Sequence, residues 1–310
     1  MNAEAQAWFD THTWQQPAWT VPELLAAKGS RTVSVVLPAL NEQDTISGVI
    51  GAVLPLLGSL VAEIVVLDSG STDATAARAT DAGARVLTRE QALPWLAPVP
   101  GKGEVLWRSL AVTTGDVVVF LDSDLVEVDP GFVPALLGPL LTQPGVGLVK
   151  GFYRRPLRVP GEHSDTGGGR VTELMARPLL AALRPELAGV IQPLGGEYAA
   201  TRDLLESVPF APGYGVEIGL LLDTQDRWGL AAIAQVNLGV RKHRNRSLLA
   251  LGVMSRQILG TALRRCGVPD GGADLTQFHQ DGSEWGAHVH PVALADRPPM
   301  RKLRVKPSTP

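Results

Sequence analysis

The chain has 310 residues, a formal net charge of -3 and a pI near 6.1. This length can bury a large core, as one sizeable domain or one domain with an appendage. The slightly acidic balance argues against a nucleic-acid-binding protein, because such proteins usually carry a strong basic excess, and it favours small-molecule partners.

Apolar runs alternate with helical patterns between residues 33 and 151. The predicted strands cover 33–40, 63–67, 85–87, 117–121 and 146–149, and the predicted helices cover 44–57, 73–81, 102–113 and 130–141. This alternation predicts an α/β protein with a mostly parallel sheet covered by helices on both faces.

The pattern is looser after residue 153, where Pro- and Gly-rich segments separate the elements. We predict helices at 171–183, 216–228 and 248–264 and a strand at 231–240, and we expect this half to supply the pocket of a second substrate. The ends, 1–30 and 267–310, are rich in Trp, Pro and Gly without clear periodicity, which predicts arms on another subunit or loose segments.

Two carboxylates, Asp122 and Asp124, follow the apolar run 117–121. A buried parallel strand delivers its C-terminal end to the crevice where α/β sheets bind ligands, and carboxylates are costly there unless a cation neutralises them. Magnesium usually takes one or two carboxylates, with phosphates and water completing its shell. The pair therefore indicates a site for a metal and a diphosphate. The ordinary structural alternative is a helix cap, because a helix is predicted just after Asp129.

The end of the first predicted strand, in the segment 37–42, is a further candidate site. Pro38 and Ala39 offer a flat edge and Glu42 a carboxylate, which together suit the base and ribose hydroxyls of a nucleoside. Asn41 and Asp44 fit ligand binding and helix capping equally well.

The second predicted strand ends at Asp68 and Ser69, which are placed to contact the base or ribose. The Gly-Lys-Gly segment at 101–103 opens a helix, where free backbone N–H groups and the Lys102 ammonium favour an anion. It lacks the spacing of a P-loop, and a solvated lysine is the alternative interpretation.

Three segments, 35–42, 66–73 and 120–124, resemble the nucleotide-sugar domain of GT-A glycosyltransferases of the dolichyl-phosphate-mannose-synthase-like kind. The resemblance implies the GT-A fold, a Rossmann-like α/β domain with a C-terminal acceptor-binding region. It also implies a set of donor contacts, namely Pro38, Ala39, Leu40, Glu42, Ser69, Lys102, Asp122 and Ser123.

Four further segments, 167–174, 193–197, 213–219 and 243–246, resemble the actinobacterial glucosyl-3-phosphoglycerate synthases, and the likeness covers about residues 31–265. These are retaining enzymes that move glucose from a nucleotide donor to the 2-hydroxyl of 3-phosphoglycerate. The resemblance implies UDP-glucose and 3-phosphoglycerate as substrates, Mg²⁺ or Mn²⁺ as cofactor, a homodimer and an early step of methylglucose lipopolysaccharide synthesis. It divides the chain into an N-terminal arm (1–30), a nucleotide-sugar half (31–151), an acceptor half (152–266) and a C-terminal tail (267–310).

The same family assigns roles to residues of the second half. It implies Asp124 and His243 as metal ligands, Asp122, Leu194 and Glu217 as catalytic residues, and as acceptor contacts Gly169, Arg170, Thr172, Arg241, Asn245 and Arg246.

Each of these segments has a structural alternative. Glycines before Arg170 provide unobstructed N–H groups and a bidentate cation for a small phosphorylated acid, but a flexible linker fits the same pattern. The basic run 241–246 is equally typical of a solvated loop, and Glu217 of a first-turn helix acid. Leu194 would act through its backbone, because the glycines that follow let a sugar lie against the peptide.

Rival functions remain open at this point. Another GT-A transferase, such as a mannosyl-3-phosphoglycerate synthase, differs in donor, while a polyprenyl-phosphate transferase would normally bring membrane segments. An inverting polysaccharide synthase is disfavoured because the segment 225–228 is one residue short of the Gln-x-x-Arg-Trp pattern. A sugar nucleotidyltransferase should show a Gly-rich loop with arginine just after the first strand, where this chain has 38–42. A nucleotide-sugar sensor without turnover is the alternative from a different class.

The cellular compartment is predicted from three features. The single cysteine, Cys266, excludes an internal disulfide framework, suits a reducing compartment and is expected to be a half-buried apolar residue. The first ten residues lack the features of a signal peptide, and no apolar stretch reaches the length of a membrane span. These features predict a soluble cytoplasmic protein.

Overall fold

The computed structural model describes residues 1–159, 162–167, 169–241, 247–293 and 295–304, without the side chains of 156–159, 162–167 and 304. The α-helices are α1 Ala3–His12, α2 Val21–Lys28, α3 Ile46–Val53, α4 Thr75–Asp81, α5 Arg89–Ala92, α6 Lys102–Val112, α7 Phe132–Thr142, α8 Arg177–Leu183, α9 Arg202–Ser207, α10 Val216–Trp228, α11 Leu248–Arg265 and α12 Met300–Arg304. The strands are β1 Thr13–Trp14, β2 Val33–Ala39, β3 Glu63–Asp68, β4 Arg85–Thr88, β5 Val117–Phe120, β6 Leu148–Arg154, β7 Pro156–Val159, β8 Glu162–Gly167, β9 Tyr198–Thr201, β10 Ile233–Val240, β11 Leu275–Asp281 and β12 Glu284–His290.

Eight strands form one sheet in the order β1-β10-β6-β9-β5-β2-β3-β4. All neighbours are parallel except β9, which runs antiparallel to both β5 and β6. The predicted α/β class with a mostly parallel sheet is confirmed. The antiparallel strand β9 was not predicted, because four residues after a glycine pair carry too little periodicity.

The hydrophobic core lies on both faces of this sheet. Along β2, Val33, Val35 and Leu37 pack into one cluster while Val36 packs into the other, and β5 alternates in the same way. A strand that is buried on both sides has a continuous apolar sequence, which explains why these strands could be predicted.

The N-terminal segment packs on the chain's own sheet. Trp8 of α1 is buried and its Nε1 donates to the Ile233 carbonyl at 2.8 Å, while β1 pairs with β10. The prediction of a loose arm, or of an arm on another subunit, is therefore wrong for the first thirty residues. The attachment depends on a few large side chains, which no periodic pattern reveals.

The C-terminal tail also has structure that was not predicted. β11 and β12 form an antiparallel hairpin, and Arg297 forms a backbone bridge with Phe210. Cys266, just after α11, is half-buried as predicted. Among the residues that the structure describes, no helix combines the length and apolarity needed to cross a membrane.

Candidate active site

A cavity of about 420 Å³ opens where β2, β3 and β5 end. Parallel strands bring their carboxyl ends to one edge of the sheet, so residues that follow different strands meet there. The cavity contains all eight predicted donor contacts, and its lining is Pro38, Ala39, Leu40, Asn41, Glu42, Ser69, Gly101, Lys102, Val105, Asp122, Ser123, Asp124 and Tyr214. The structure thus gathers these residues, and their contacts with a ligand stay a prediction.

Two loops at the cavity rim hold each other in place. Asn41 has a positive φ of 55°, and its Oδ1 accepts a hydrogen bond from the backbone N–H of Thr72 at 2.9 Å. Asp68 Oδ2 accepts from the backbone N–H groups of Gly70 and Ser71. Asn41 therefore does not cap α3, which has Thr45 at its N-cap, and Asp68 shapes its own loop.

Asp122 and Asp124 do not cap a helix either. Helix α7 begins at Phe132, and the turn before it is closed by Asp129, whose Oδ1 accepts from the Gly131 N–H at 2.7 Å. Ser123, between the two carboxylates, donates its hydroxyl to the Pro38 carbonyl at 2.7 Å. This bond joins the end of β5 to the end of β2 and leaves both aspartates for the cavity.

Lys102 connects the cavity to α10. Its Nζ lies 2.6 Å from Asp122 Oδ1 and 2.6 Å from Glu217 Oε1. Burial opposes the charge on the lysine, but the two carboxylates hold its pKa well above the ordinary value. A Cβ on Gly103 would lie 1.9 Å from the Ala211 carbonyl oxygen, so only glycine lets α6 start this close to the neighbouring segment.

Arg241 is the second cation of the site. Its Nη2 donates to Asp122 Oδ2 at 2.6 Å and to Asp124 Oδ1 at 3.0 Å, and its Nε donates to Glu197 Oε1 at 2.9 Å. Burial opposes the charge on Asp122, and Lys102 and Arg241 together hold the pKa of that carboxyl well below its usual range. The structure therefore brings Arg241 to the aspartate pair, and its predicted contact with the acceptor or diphosphate stays a prediction.

The segment 194–196 lies against Asp122. A Cβ on Gly196 would be 2.3 Å from Asp122 Oδ2, and one on Gly195 would be 2.9 Å from the Gly151 carbonyl. Leu194 is half-buried. The absent side chains thus let this backbone approach Asp122, and the predicted role of Leu194, acting on a sugar through its backbone, stays a prediction.

The predicted acceptor residues of the 169–172 segment lie outside the donor cavity. Gly169 has a φ of +78°, and Arg170 lines a separate cavity of about 310 Å³ together with apolar residues of α11. Thr172 is buried at the start of a π-helical turn, Thr172–Ala176. Three further predicted site residues, His243, Asn245 and Arg246, lie outside the described residues.

Asp124 is suited to bind a divalent cation. Its carboxylate stands at the cavity mouth with a cationic partner, and its side chain is 26% exposed. One carboxylate with phosphate oxygens and water is a usual shell for Mg²⁺. Within the described ranges no group of three or more His, Cys, Asp or Glu side chains could hold a metal, and the roles of Asp124 and His243 as metal ligands stay a prediction.

Several residues of the site were not assigned from the sequence. Tyr214 and Val105 line the cavity, and Glu197 anchors Arg241. Val105 follows Lys102 at helical spacing, which could have identified it. Tyr214 and Glu197 lie in the segments 213–219 and 193–197 that resemble the family, but neither segment shows by itself which of its side chains approaches the site.

The first half of the chain matches a known family. Residues 34–166 match the family model described as Glycosyl transferase family 2. The doubly covered parallel sheet, the strand-end cavity and this match define a glycosyltransferase.

Full-length comparisons are more specific. The glucosyl-3-phosphoglycerate synthase of Mycolicibacterium smegmatis is 66% identical over 297 residues, which cover 96% of this chain and 98% of the relative. A crystal structure of glucosyl-3-phosphoglycerate synthase from Mycobacterium tuberculosis, in complex with Mn²⁺, UDP-glucose and phosphoglyceric acid, superposes with a TM-score of 0.88 at 63% identity and covers 94% of this chain and 98% of that one. Another from the same organism, with Mg²⁺ and UDP, gives a TM-score of 0.89 at 62% identity, with 94% and 99% covered. The chain belongs to the family of glucosyl-3-phosphoglycerate synthases.

Proposed function

We propose that this protein transfers glucose from UDP-glucose to the 2-hydroxyl of 3-phosphoglycerate and retains the anomeric configuration. The observation that carries the proposal is the cavity at the ends of β2, β3 and β5, which gathers the predicted donor contacts around Asp122 and Lys102. The family supports the same substrates, because the Mycobacterium tuberculosis relative, at 63% identity, binds UDP-glucose and phosphoglyceric acid in its crystals.

Uridine and ribose would lie along the rim formed by 38–42 and Ser69. The backbone of Pro38 and Ala39 offers a flat edge, and the two rim loops are fixed by the bonds of Asn41 and Asp68. A preformed rim lowers the entropy cost of binding the nucleoside.

The diphosphate would lie at the cavity mouth beside Asp124. Asp124 would hold Mg²⁺ or Mn²⁺ with His243, and the cation neutralises charge on the leaving diphosphate when it is bound. Arg241 already contacts Asp122 and Asp124, so its guanidinium is placed to bind the negatively charged diphosphate.

Glucose would lie between Glu217, Lys102 and the backbone of 194–196. The Lys102 bridge holds Asp122 and Glu217 on either side of one ammonium, so the carboxylate oxygens that accept sugar hydroxyls are oriented before the donor arrives. Glycines at 195 and 196 allow the sugar to approach the peptide directly.

The acceptor would enter on the face that the diphosphate leaves. Gly169, Arg170 and Thr172 supply a helix start and a guanidinium for its phosphate or carboxylate, and Asn245 and Arg246 complete the proposed set. Entry from the front face gives the α-linked product.

The proposal is tested by incubating the protein with UDP-glucose, 3-phosphoglycerate and Mg²⁺ and assigning the product by NMR. The expected product carries an α-glucosyl group on the 2-oxygen of 3-phosphoglycerate. GDP-mannose in place of UDP-glucose serves as the second arm. A β-linked product, an absent product, or faster turnover of GDP-mannose would contradict the assignment.

We also propose that the protein is a cytoplasmic homodimer. The free cysteine is compatible with a reducing compartment. Support for the dimer comes from the β11–β12 hairpin, where Phe278, Trp285 and Val289 are all more than half exposed. A two-stranded hairpin is marginal alone and an exposed apolar patch is typical of an interface.

The dimer is tested by light scattering after gel filtration. The wild-type mass should be twice the chain mass of 32.9 kDa, and the double variant Phe278→Ser, Trp285→Ser should shift towards the monomer. A monomeric wild-type protein would refute the dimer, and a dimeric double variant would place its interface elsewhere.

A further inference from the structure

Lys150, in the middle of β6, is a fully buried cation that the proposed mechanism does not use. It is 2% exposed, and lysine is almost never buried to that extent without a paired charge. Within the described part of the chain, no carboxylate lies within 4.0 Å of its Nζ. The burial of this charge therefore calls for an explanation.

The ammonium is directed at a peptide carbonyl. Its Nζ donates to the Gly195 carbonyl oxygen at 2.5 Å and lies 4.6 Å from the centre of the Tyr198 ring. The Gly195 carbonyl belongs to the peptide that links Gly195 to Gly196. Because a trans peptide is planar, fixing this carbonyl also fixes the Gly196 N–H, which points to the opposite side.

This peptide is also confined by Asp122 of the donor site. A Cβ on Gly196 would meet Asp122 Oδ2 at 2.3 Å, and the Gly195 N–H donates to the Gln192 carbonyl at 3.0 Å. The peptide is therefore held at its carbonyl by the Lys150 bond and packed against Asp122 at Gly196. A small rotation of this peptide would change the surface on which the sugar is proposed to lie.

Keeping a charge here is costly. Burial lowers the pKa of Lys150 to about 8 and Lys102 adds to the lowering, even though Glu217, Glu197 and Asp122 act in the opposite direction. Methionine would fill a similar volume without a charge, and a buried ion is often replaced by an apolar side chain without loss of stability. A residue kept at such a cost beside a site is typical of function rather than of folding.

We propose that Lys150 is a positioning residue for glucose transfer, which acts by clamping the Gly195–Gly196 peptide against Asp122. The inference rests on the proposed function, because the clamped peptide is the one assigned to the sugar. Lys150 itself does not touch either substrate.

The test compares Lys150→Met with Gln235→Met. Gln235 is the cross-strand neighbour of Lys150, is equally buried, and bonds to the backbone of Gly189 and Ile191 instead of Gly195. For both variants and the wild type, we would measure kcat for product formation, the Kd of UDP by calorimetry with Mg²⁺, and the Tm.

If Lys150 acts as a clamp, its replacement should lower kcat without weakening UDP binding or lowering the Tm. Lys150→Met should lower kcat at least about 30-fold, while the Kd of UDP stays within about twofold. Its Tm should be unchanged or higher, because an unfavourable buried charge is gone. Gln235→Met should instead lower the Tm and leave kcat within about threefold.

Two results would overturn the proposal. One is a kcat for Lys150→Met within about threefold of wild type, and the other is a loss of kcat that is matched by losses in UDP affinity and Tm. If the wild type itself makes no glucosylated product, the proposed function fails. The clamp is then tested by the ratio of the Kd values of UDP and UDP-glucose. Lys150→Met should change this ratio at least about fivefold, and an unchanged ratio would refute the clamp.

Discussion

At the scale of single residues, the site is a set of buried charges that satisfy one another. Lys102 joins Asp122 to Glu217, and Arg241 joins Asp122 to Asp124 and Glu197. Such pairs contribute little net stability, because desolvation offsets their attraction, but removing one partner leaves an uncompensated charge. Their effect is to orient the carboxylates before the substrates bind.

Lys102→Met should therefore harm both activity and stability. Asp122 and Glu217 would face each other without their common cation, so we expect kcat/KM to fall at least about 100-fold, which corresponds to about 2.7 kcal/mol. The measurement is steady-state kinetics together with thermal unfolding. Lys302→Met, on the exposed face of α12, is the control and should leave both unchanged. A kcat/KM for Lys102→Met within about threefold of wild type would exclude an orienting role.

Gly196→Ala tests the close approach of backbone to carboxylate. The added methyl group would lie 2.3 Å from Asp122 Oδ2, so either the carboxylate or the 194–196 segment has to move. We expect kcat to fall at least about tenfold, since displacing a positioned group by about 1 Å is costly in catalysis.

The control is Gly51→Ala in α3, where no atom lies within 4 Å of the added Cβ. Alanine should stabilise that helix slightly and leave kcat unchanged. Equal kinetic effects of the two alanine substitutions would refute a specific steric contact at Gly196.

The residues of the first half of the site could be predicted because they lie at the carboxyl ends of strands. Pro38 lies near the end of β2, Ser69 and Asp122 come after β3 and β5, and the geometry of a parallel sheet places all three at one edge. Lys150 could not be predicted, because a lysine inside a strand carries no local signal of its partner. Tyr214 was also missed, although it lies within a Gly-Tyr-Gly segment that resembles the family.

At the scale of elements, strongly periodic segments were predicted within a few residues. The helix expected at 216–228 is α10, Val216–Trp228, and the one expected at 248–264 is α11, Leu248–Arg265. The helix expected at 44–57 is shorter as an α-helix, Ile46–Val53, and continues as a 3₁₀ turn at Pro55. Proline lacks the N–H that a continuing α-helix would need.

The N-terminal helices were missed for a different reason. Helix α1 buries only Ala5 and Trp8, so its apolar face is too narrow for a periodic pattern. Its position depends on tertiary contacts with β10 and with the 3₁₀ turn Pro185–Gly189, whose Gly189 lies beside the Trp8 ring. Elements held by one or two large side chains are beyond what a sequence pattern can show.

Trp8→Ala measures how strongly this segment is attached. Truncating a buried tryptophan typically costs about 3–5 kcal/mol, and here the hydrogen bond to Ile233 is lost as well. The Tm should fall by several degrees in thermal unfolding. Trp95, which is 73% exposed, is the matched control, and Trp95→Ala should change stability by less than about 0.5 kcal/mol. If Trp8→Ala lowered the Tm no more than Trp95→Ala does, α1 would contribute nothing to the stability of the fold.

At the scale of the whole molecule, the sheet joins the two halves into one site. Strand β9, from the second half, lies between β5 and β6. The segment 194–196 comes just before β9 and therefore lies beside the carboxylates that follow β5. Arg241, just after β10, reaches the same carboxylates from the other side. The likeness to the family implied this convergence, whereas strand periodicity alone could not, because it does not give strand order.

Asp124 provides the most direct test of the central claim that this edge of the sheet performs metal-assisted glucose transfer. The measurement is kcat of Asp124→Asn with UDP-glucose, 3-phosphoglycerate and Mg²⁺, alongside the wild type. The account predicts a fall of at least about 100-fold with little change in Tm, because the lost carboxylate acts mainly on the leaving diphosphate. A kcat within about tenfold of wild type, or about 1.4 kcal/mol, would contradict it.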